Sequence, residues 1–230
     1  MEPSAIDPAE IIGAPIRRRA LLLGGIATCL LAGCAALPPL SVDEAVRRLT
    51  RRAVERGLAR LEASGGLWDH WVIIADLPSV LGPGGSLLQR ALISPAFHRR
   101  LDEWLRPVAL RAARAAAPRI AAAVKVMGVA NARAVIAGGP RAATALLRSQ
   151  MGPAVLEAMF PEFRDALHLL DDPLLGPLIT ALPRDGIATI ARWLARRAEN
   201  VLWDAIGEEE QAIRADPGAG GDPDLARVLN

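Results

Sequence analysis

The chain has 230 residues, with 27 Lys and Arg against 25 Asp and Glu, a net charge of +2 at pH 7. That near-balance, with Lys125 the only lysine, argues against a nucleic-acid binder, which concentrates basic charge. No Tyr, three Phe and a bias toward Ala, Leu and Arg favour helices over sheet.

Arg17, Arg18 and Arg19 precede an apolar run from Ala20 to Gly33. A run of 14 residues is shorter than the roughly 20 of a spanning helix and matches a signal-peptide core. It closes on Leu31-Ala32-Gly33-Cys34, which resembles the bacterial lipobox. Two small residues let a peptidase approach the backbone, and the cysteine thiol receives the lipid. The expectation is a lipoprotein signal peptide over 1–33, lipidation of Cys34, and a lipid-anchored tether over 34–40 broken by Pro38 and Pro39. Ala35 in place of Asp points to the outer membrane, by resemblance to known sorting rules. A short core helix that contains Gly and Cys is the alternative. Arg18-Arg19-Ala20-Leu21-Leu22 also resembles the twin-arginine export pattern, yet any signal peptide needs positive charge there, so both routes stay open. Removal of the leader leaves 197 residues, enough for one domain with a core. With Cys29 lost and Cys34 lipidated, no disulfide is expected, although the compartment is oxidising.

Ser41-Val42-Asp43-Glu44 reads as a capping box that opens a helix to about Ala63. Val42, Ala45, Val46, Leu49 and Ala53 follow helical spacing. Arg47, Arg48, Arg51, Arg52, Arg56 and Arg60 crowd the remaining surface. Such a run is ordinarily a solvated face; close to a lipid anchor, it can also face the membrane. Leu67 to Gly85 reads as an irregular or hairpin excursion carrying Trp68 and Trp71. Ser94-Pro95 opens the next helix, bent at Pro107, and Pro118 starts another. A short helix over Asn131–Ala137 stops at Gly138-Gly139, Pro140 opens a helix over Arg141–Gln150, and Pro153 opens one kinked at Pro161. After a Pro-rich stretch comes the helix expected to be longest, about Asp185 to Arg214, and then a last turn over Asp224–Leu229.

On the long helix, Ile187, Ala191, Leu194, Ala198, Leu202, Ala205 and Ala212 form one stripe, with Glu209 in the middle of it. A carboxylate on a core-facing line must be paired or protonated, unless the helix end has left the core. Glu210 points further out and is expected to pair with Arg214 at the surface. Trp203, off the stripe, needs a covering element or marks an interface.

Asn131-Ala-Arg-Ala-Val-Ile-Ala-Gly138-Gly139-Pro-Arg-Ala-Ala-Thr144-Ala-Leu-Leu-Arg148 and Glu208-Glu-Glu-Gln-Ala-Ile-Arg214-Ala-Asp-Pro217 carry a family resemblance. They are similar, in order and spacing, to two motifs of bacterial lipoproteins grouped as domain of unknown function 4197. The resemblance runs over roughly residues 41 to 230. It implies an all-helical, lipid-anchored or secreted protein and no assigned activity. The family tends to have an acid at Asn131, aromatics at Leu146 and Leu147, Asn and Glu near Leu110 and Arg114, and R-T-T where this chain has Ala219-Gly220-Gly221. The chain reads as a divergent member.

No H-E-x-x-H, C-x-x-C, G-x-S-x-G or S-x-x-K motif is present, and His70, His98 and His168 are isolated. No catalytic residue, metal or cofactor is therefore expected. Gly138-Gly139-Pro140 entering a helix has the look of an anion site, but without a preceding strand or a Walker lysine a plain helix-stop-helix-start is the simpler reading. Asn131, Thr144, Arg148, Glu209, Glu210 and Arg214 form a candidate polar cluster between helices. The expectation is an all-α bundle of six to eight helices over 41–230, held by lipid on the periplasmic face of a bacterial envelope membrane. A non-enzymatic protein that binds a protein partner or apolar ligand is the leading function. An enzyme or polar-ligand binder using the carboxylate and arginine cluster is the alternative. An open pocket around those groups would mark the enzyme; closed, satisfied groups would mark the scaffold.

Overall fold

The computed structural model describes residues 40–63, 95–128, 130, 132–168, 176–180, 185–219 and 222–229. The leader, Cys34, the excursion at 67–85, His70 and Asn131 lie outside the described residues. Everything described belongs to one compact unit, Leu40–Asn230. It is an all-α bundle, with no strand among the described residues.

Its helices are α1 (Val42–Glu62), α2 (Pro95–Val126), α3 (Ala132–Ile136), α4 (Ala142–Met151), α5 (Ala154–His168), α6 (Gly176–Thr180), α7 (Gly186–Ala215) and α8 (Pro223–Leu229). None of those described is long and apolar enough to cross a membrane. The centre is α7, which packs against α1, α2, α4 and α5, while α2 and α5 close the other side.

The capping box forms in part as read: Ser41 Oγ accepts the Glu44 amide at 3.2 Å, and Asp43 and Glu44 place negative charge at the positive end of α1. Ala45, Val46, Leu49, Ala53, Val54 and Leu61 then bury one face of that helix. Gly57 continues the face, and a Cβ there would stand 3.0 Å from the backbone N and Cα of Ile206. The missing side chain is what lets α1 and α7 approach so closely. Alanines at 45, 53, 109, 112, 116, 191, 195, 198 and 205 are fully buried. Small residues on facing ridges bring helices together and replace the aromatic bulk this sequence lacks.

One boundary and the identity of the longest helix differ from the sequence expectation. Pro118 does not start a new helix; α2 runs 32 residues through both Pro107 and Pro118 and is longer than the 30-residue α7. Each proline removes the donor to the carbonyl four residues earlier, at Glu103 and Arg114. Both prolines and both of those residues are exposed, on the side of the helix where solvent can satisfy the freed carbonyls. Meanwhile Leu105, Val108, Ala109, Ala112, Ala113, Ala116, Ile120 and Val124 form an unbroken buried line past them. That burial outweighs a local cost of about 3 kcal/mol per proline. Pro161 is likewise carried inside α5.

Candidate functional site

Glu210, not Glu209, is the carboxylate inside the bundle. It is 0 % exposed, whereas Glu209 keeps 18 % of its side chain in solvent and faces Arg60 of α1 at 3.4 Å. The apolar stripe predicted the reverse. The buried sector of α7 is wider than that stripe, because Glu199, Trp203, Ile206, Glu210 and Ile213 form a second buried line beside it. Three of these five are polar or amphipathic, so hydrophobic periodicity alone does not register the line. Trp203 is covered, at 3 % exposure, and its Nε1–H donates to Glu199 Oε1 at 3.2 Å.

What fills the Glu210 site is the start of α4. Ala143 N–H donates to Oε1 at 3.0 Å, and Thr144 donates to Oε2 through both its amide and its hydroxyl, each at 2.7 Å. Helix α4 has no side-chain cap of its own at Arg141. The first amides of any helix lack partners within it, and the helix dipole makes that end positive. A carboxylate reaching across from α7 answers both needs. The anion-site appearance of Gly138-Gly139-Pro140 is thus accounted for: the anion belongs to the protein.

Arg214 completes the arrangement one turn along α7. Its Nε donates to Glu210 Oε1 at 2.8 Å, while Nη1 and Nη2 donate to the carbonyls of Ile136 and Val135 at 2.9 and 3.0 Å. Those carbonyls end α3, the negative pole of that helix. One ion pair therefore spans the α3–α4 turn, with the cation on the helix end that wants positive charge and the anion on the one that wants negative. The expected pairing of Glu210 with Arg214 forms, but in the interior, with 0 % and 12 % of the two side chains exposed. The two sequence motifs, one containing Ala143-Thr144 and the other Glu210 and Arg214, are halves of a single clamp.

The other described candidates, Arg148 and Glu209, stand apart from it. Arg148 is exposed and donates to Asn200 Oδ1 at 2.6 Å, and Asn131 is outside the described residues. Among the described residues of the proposed cluster, Thr144, Glu210 and Arg214 are the ones that come together. Among the described residues no three His, Cys, Asp or Glu side chains gather as a metal site requires.

A second carboxylate was missed in the sequence. Asp222 is 7 % exposed, accepts the Leu225 amide at 3.0 Å and so caps α8; Arg48 and Arg52 of α1 each approach it to 3.2 Å. Burial works to raise its carboxyl, but the Leu225 amide and then the two guanidiniums hold it below its ordinary value. Asp222-Pro223 is an N-cap followed by Pro at the first helical position, a signal legible in the sequence. The basic face of α1 is thereby divided. Among the described residues, Arg48, Arg52 and Arg60 pair with acids of other segments, Arg47 and Arg51 have Glu44, at 3.9 Å, as their one nearby acid, and Arg56 is exposed with no ion pair.

The family model described as a protein of unknown function, DUF4197, matches residues 37–230. No curated protein matches the chain, and no solved structure matches it.

Proposed function

The chain belongs to the DUF4197 family of proteins of unknown function, and on that premise we propose that it is a lipid-anchored envelope protein acting as a non-enzymatic binding or scaffold domain. The closure of the Glu210 clamp is the observation that carries the non-enzymatic reading. Its carboxylate accepts four hydrogen bonds, three from α4 and one from Arg214, and has no exposed surface. A catalytic acid or base must reach the proton it transfers; this one is spent on the start of α4 and on Arg214. The lipobox-like Leu31-Ala32-Gly33-Cys34 supports anchoring, and Ala35 supports the outer membrane, periplasmic side.

Stability separates the scaffold reading from the catalytic one. Groups kept for catalysis are commonly held at a cost, so replacing them leaves stability unchanged or raises it. Glu210→Gln, which keeps the shape and loses the charge, lowers the midpoint of thermal unfolding if Glu210 is structural. An unchanged or raised midpoint would favour an enzyme. Anchoring is tested apart from this, by labelled palmitate: incorporation into the full chain and its loss in Cys34→Ala are expected. Equal membrane retention of Cys34→Ala with an uncleaved leader would favour a transmembrane segment, and fractionation into the inner membrane would overturn the sorting.

A further inference from the structure

With Arg48, Arg52 and Arg60 committed to Asp222, Glu208 and Glu209, the cations of α1 that remain available for a partner include Arg47 and Arg51. Both line a cleft of about 340 Å³ between α1 and the end of α2, beside Lys125 and over an apolar floor of Val54, Ala121 and Val124. Arg47 Nε reaches the Met127 carbonyl at 3.4 Å, which holds the first turns of α1 against the C-terminal end of α2. At that end Val126 is 82 % exposed, the one large apolar side chain left so open among the described residues. Leu40 stands two residues before α1 and six after Cys34, so an anchor at that cysteine tethers the start of α1 by a chain of roughly 26–29 Å at most.

We propose that this cleft is a docking surface for an anionic phospholipid bilayer, with lipid phosphates against Arg47, Arg51 and Lys125 and Val126 entering the interface. The inference rests on the lipid-anchored reading for delivery to the membrane. Charge complementarity selects the partner: three cations border the cleft, and Arg51 is 54 % exposed with its nearest carboxylate, that of Glu44, at 3.9 Å. Glu44 and Glu55 also line the cleft and oppose anionic lipid there. Removing the Glu44 charge therefore strengthens docking. Each cation brought near an anionic surface contributes about fivefold to partitioning, so loss of all three weakens it roughly 100-fold.

Sedimentation of residues 40–230, a unit with its own core, with vesicles tests this independently of lipidation. Vesicles are phosphatidylglycerol mixed with phosphatidylcholine, or phosphatidylcholine alone, at low and high salt. The expected result is binding to the anionic vesicles only, weakened by salt. Arg47→Gln/Arg51→Gln/Lys125→Gln should lose it roughly 100-fold, Val126→Asp should weaken it at unchanged thermal stability, and Glu44→Gln should tighten it. Arg56→Gln, the same charge change on α1 outside the cleft, should leave it nearly unaltered. No binding, equal binding to both vesicles, a triple variant that binds like the parent, or Arg56→Gln matching the per-cation loss would each overturn the docking surface. Palmitate labelling of the full chain still decides the anchor, so the two failures can be told apart.

Discussion

Truncation of the clamp, Glu210→Ala, removes the acceptor of four hydrogen bonds at a position with 0 % exposure. It leaves the Arg214 guanidinium, 12 % exposed, without its counter-charge, and the Ala143 and Thr144 amides without a cap. Breaking a buried ion pair costs about 3–5 kcal/mol, and losing an N-cap about 0.5–2. The two overlap, because the same oxygens serve both, so about 3–5 kcal/mol is the expected loss. For a domain of this size that corresponds to a fall of about 6–20 °C in the unfolding midpoint. Chemical denaturation followed by circular dichroism measures the difference directly. A buried pair can often be replaced by apolar residues at no loss. Here that escape is closed, since Arg214 also satisfies the carbonyls that end α3 and Glu210 the amides that begin α4. Glu210→Leu/Arg214→Leu should therefore remain clearly less stable than the parent. A double variant as stable as the parent would show that the helix ends need no partner and would refute the clamp.

Two further perturbations bear on α1. Because the Asp222 carboxyl is held below its ordinary 3.8, its contribution is complete above that pH and is lost as pH falls through the lowered value; the stability gap between the parent and Asp222→Asn should be constant near neutrality and close in acid, and a gap that persists unchanged at pH 2 would contradict the assignment. Gly57→Ala should destabilise, as overpacking of about 1–3 kcal/mol against the Ile206 backbone exceeds the helix-propensity gain of up to about 1. Gly207→Ala, whose Cβ first meets the half-exposed, flexible Arg141 side chain, should leave the melt unchanged or raise it; equal losses at both glycines would show that the α1–α7 approach is not limiting.

The fold was legible where one periodicity governed. The capping box at Ser41, the apolar face of α1 and the short α3 all announce themselves through spacing or cap chemistry. Pro118 misled because proline was weighed as a local breaker, while the buried line of α2 that overrides it is a tertiary property. The neighbouring acids on α7 show the limit most clearly. Register on a stripe places Glu209 inward, yet the amides of α4 lie on the flank where Glu210 points, and no helical wheel records which flank another helix end will occupy. The candidate cluster drawn from the two motifs contained Thr144, Glu210 and Arg214, which do meet, together with Arg148 and Glu209, which find other partners. Asp222-Pro223, by contrast, was readable as a cap from local chemistry alone.

Amide hydrogen exchange at Ala143 and Thr144 in the unmodified protein tests the closed clamp most directly. First-turn amides have no partner within their helix and ordinarily exchange fast. A carboxylate that holds both at 3.0 and 2.7 Å from the interior predicts exchange only through openings near the global unfolding free energy. Glu210→Gln should abolish much of that protection while the amides in the middle of α4 keep theirs. Rapid exchange at Ala143 and Thr144 in the parent protein would mean that Glu210 faces an open site, and the structural role assigned to it would be contradicted.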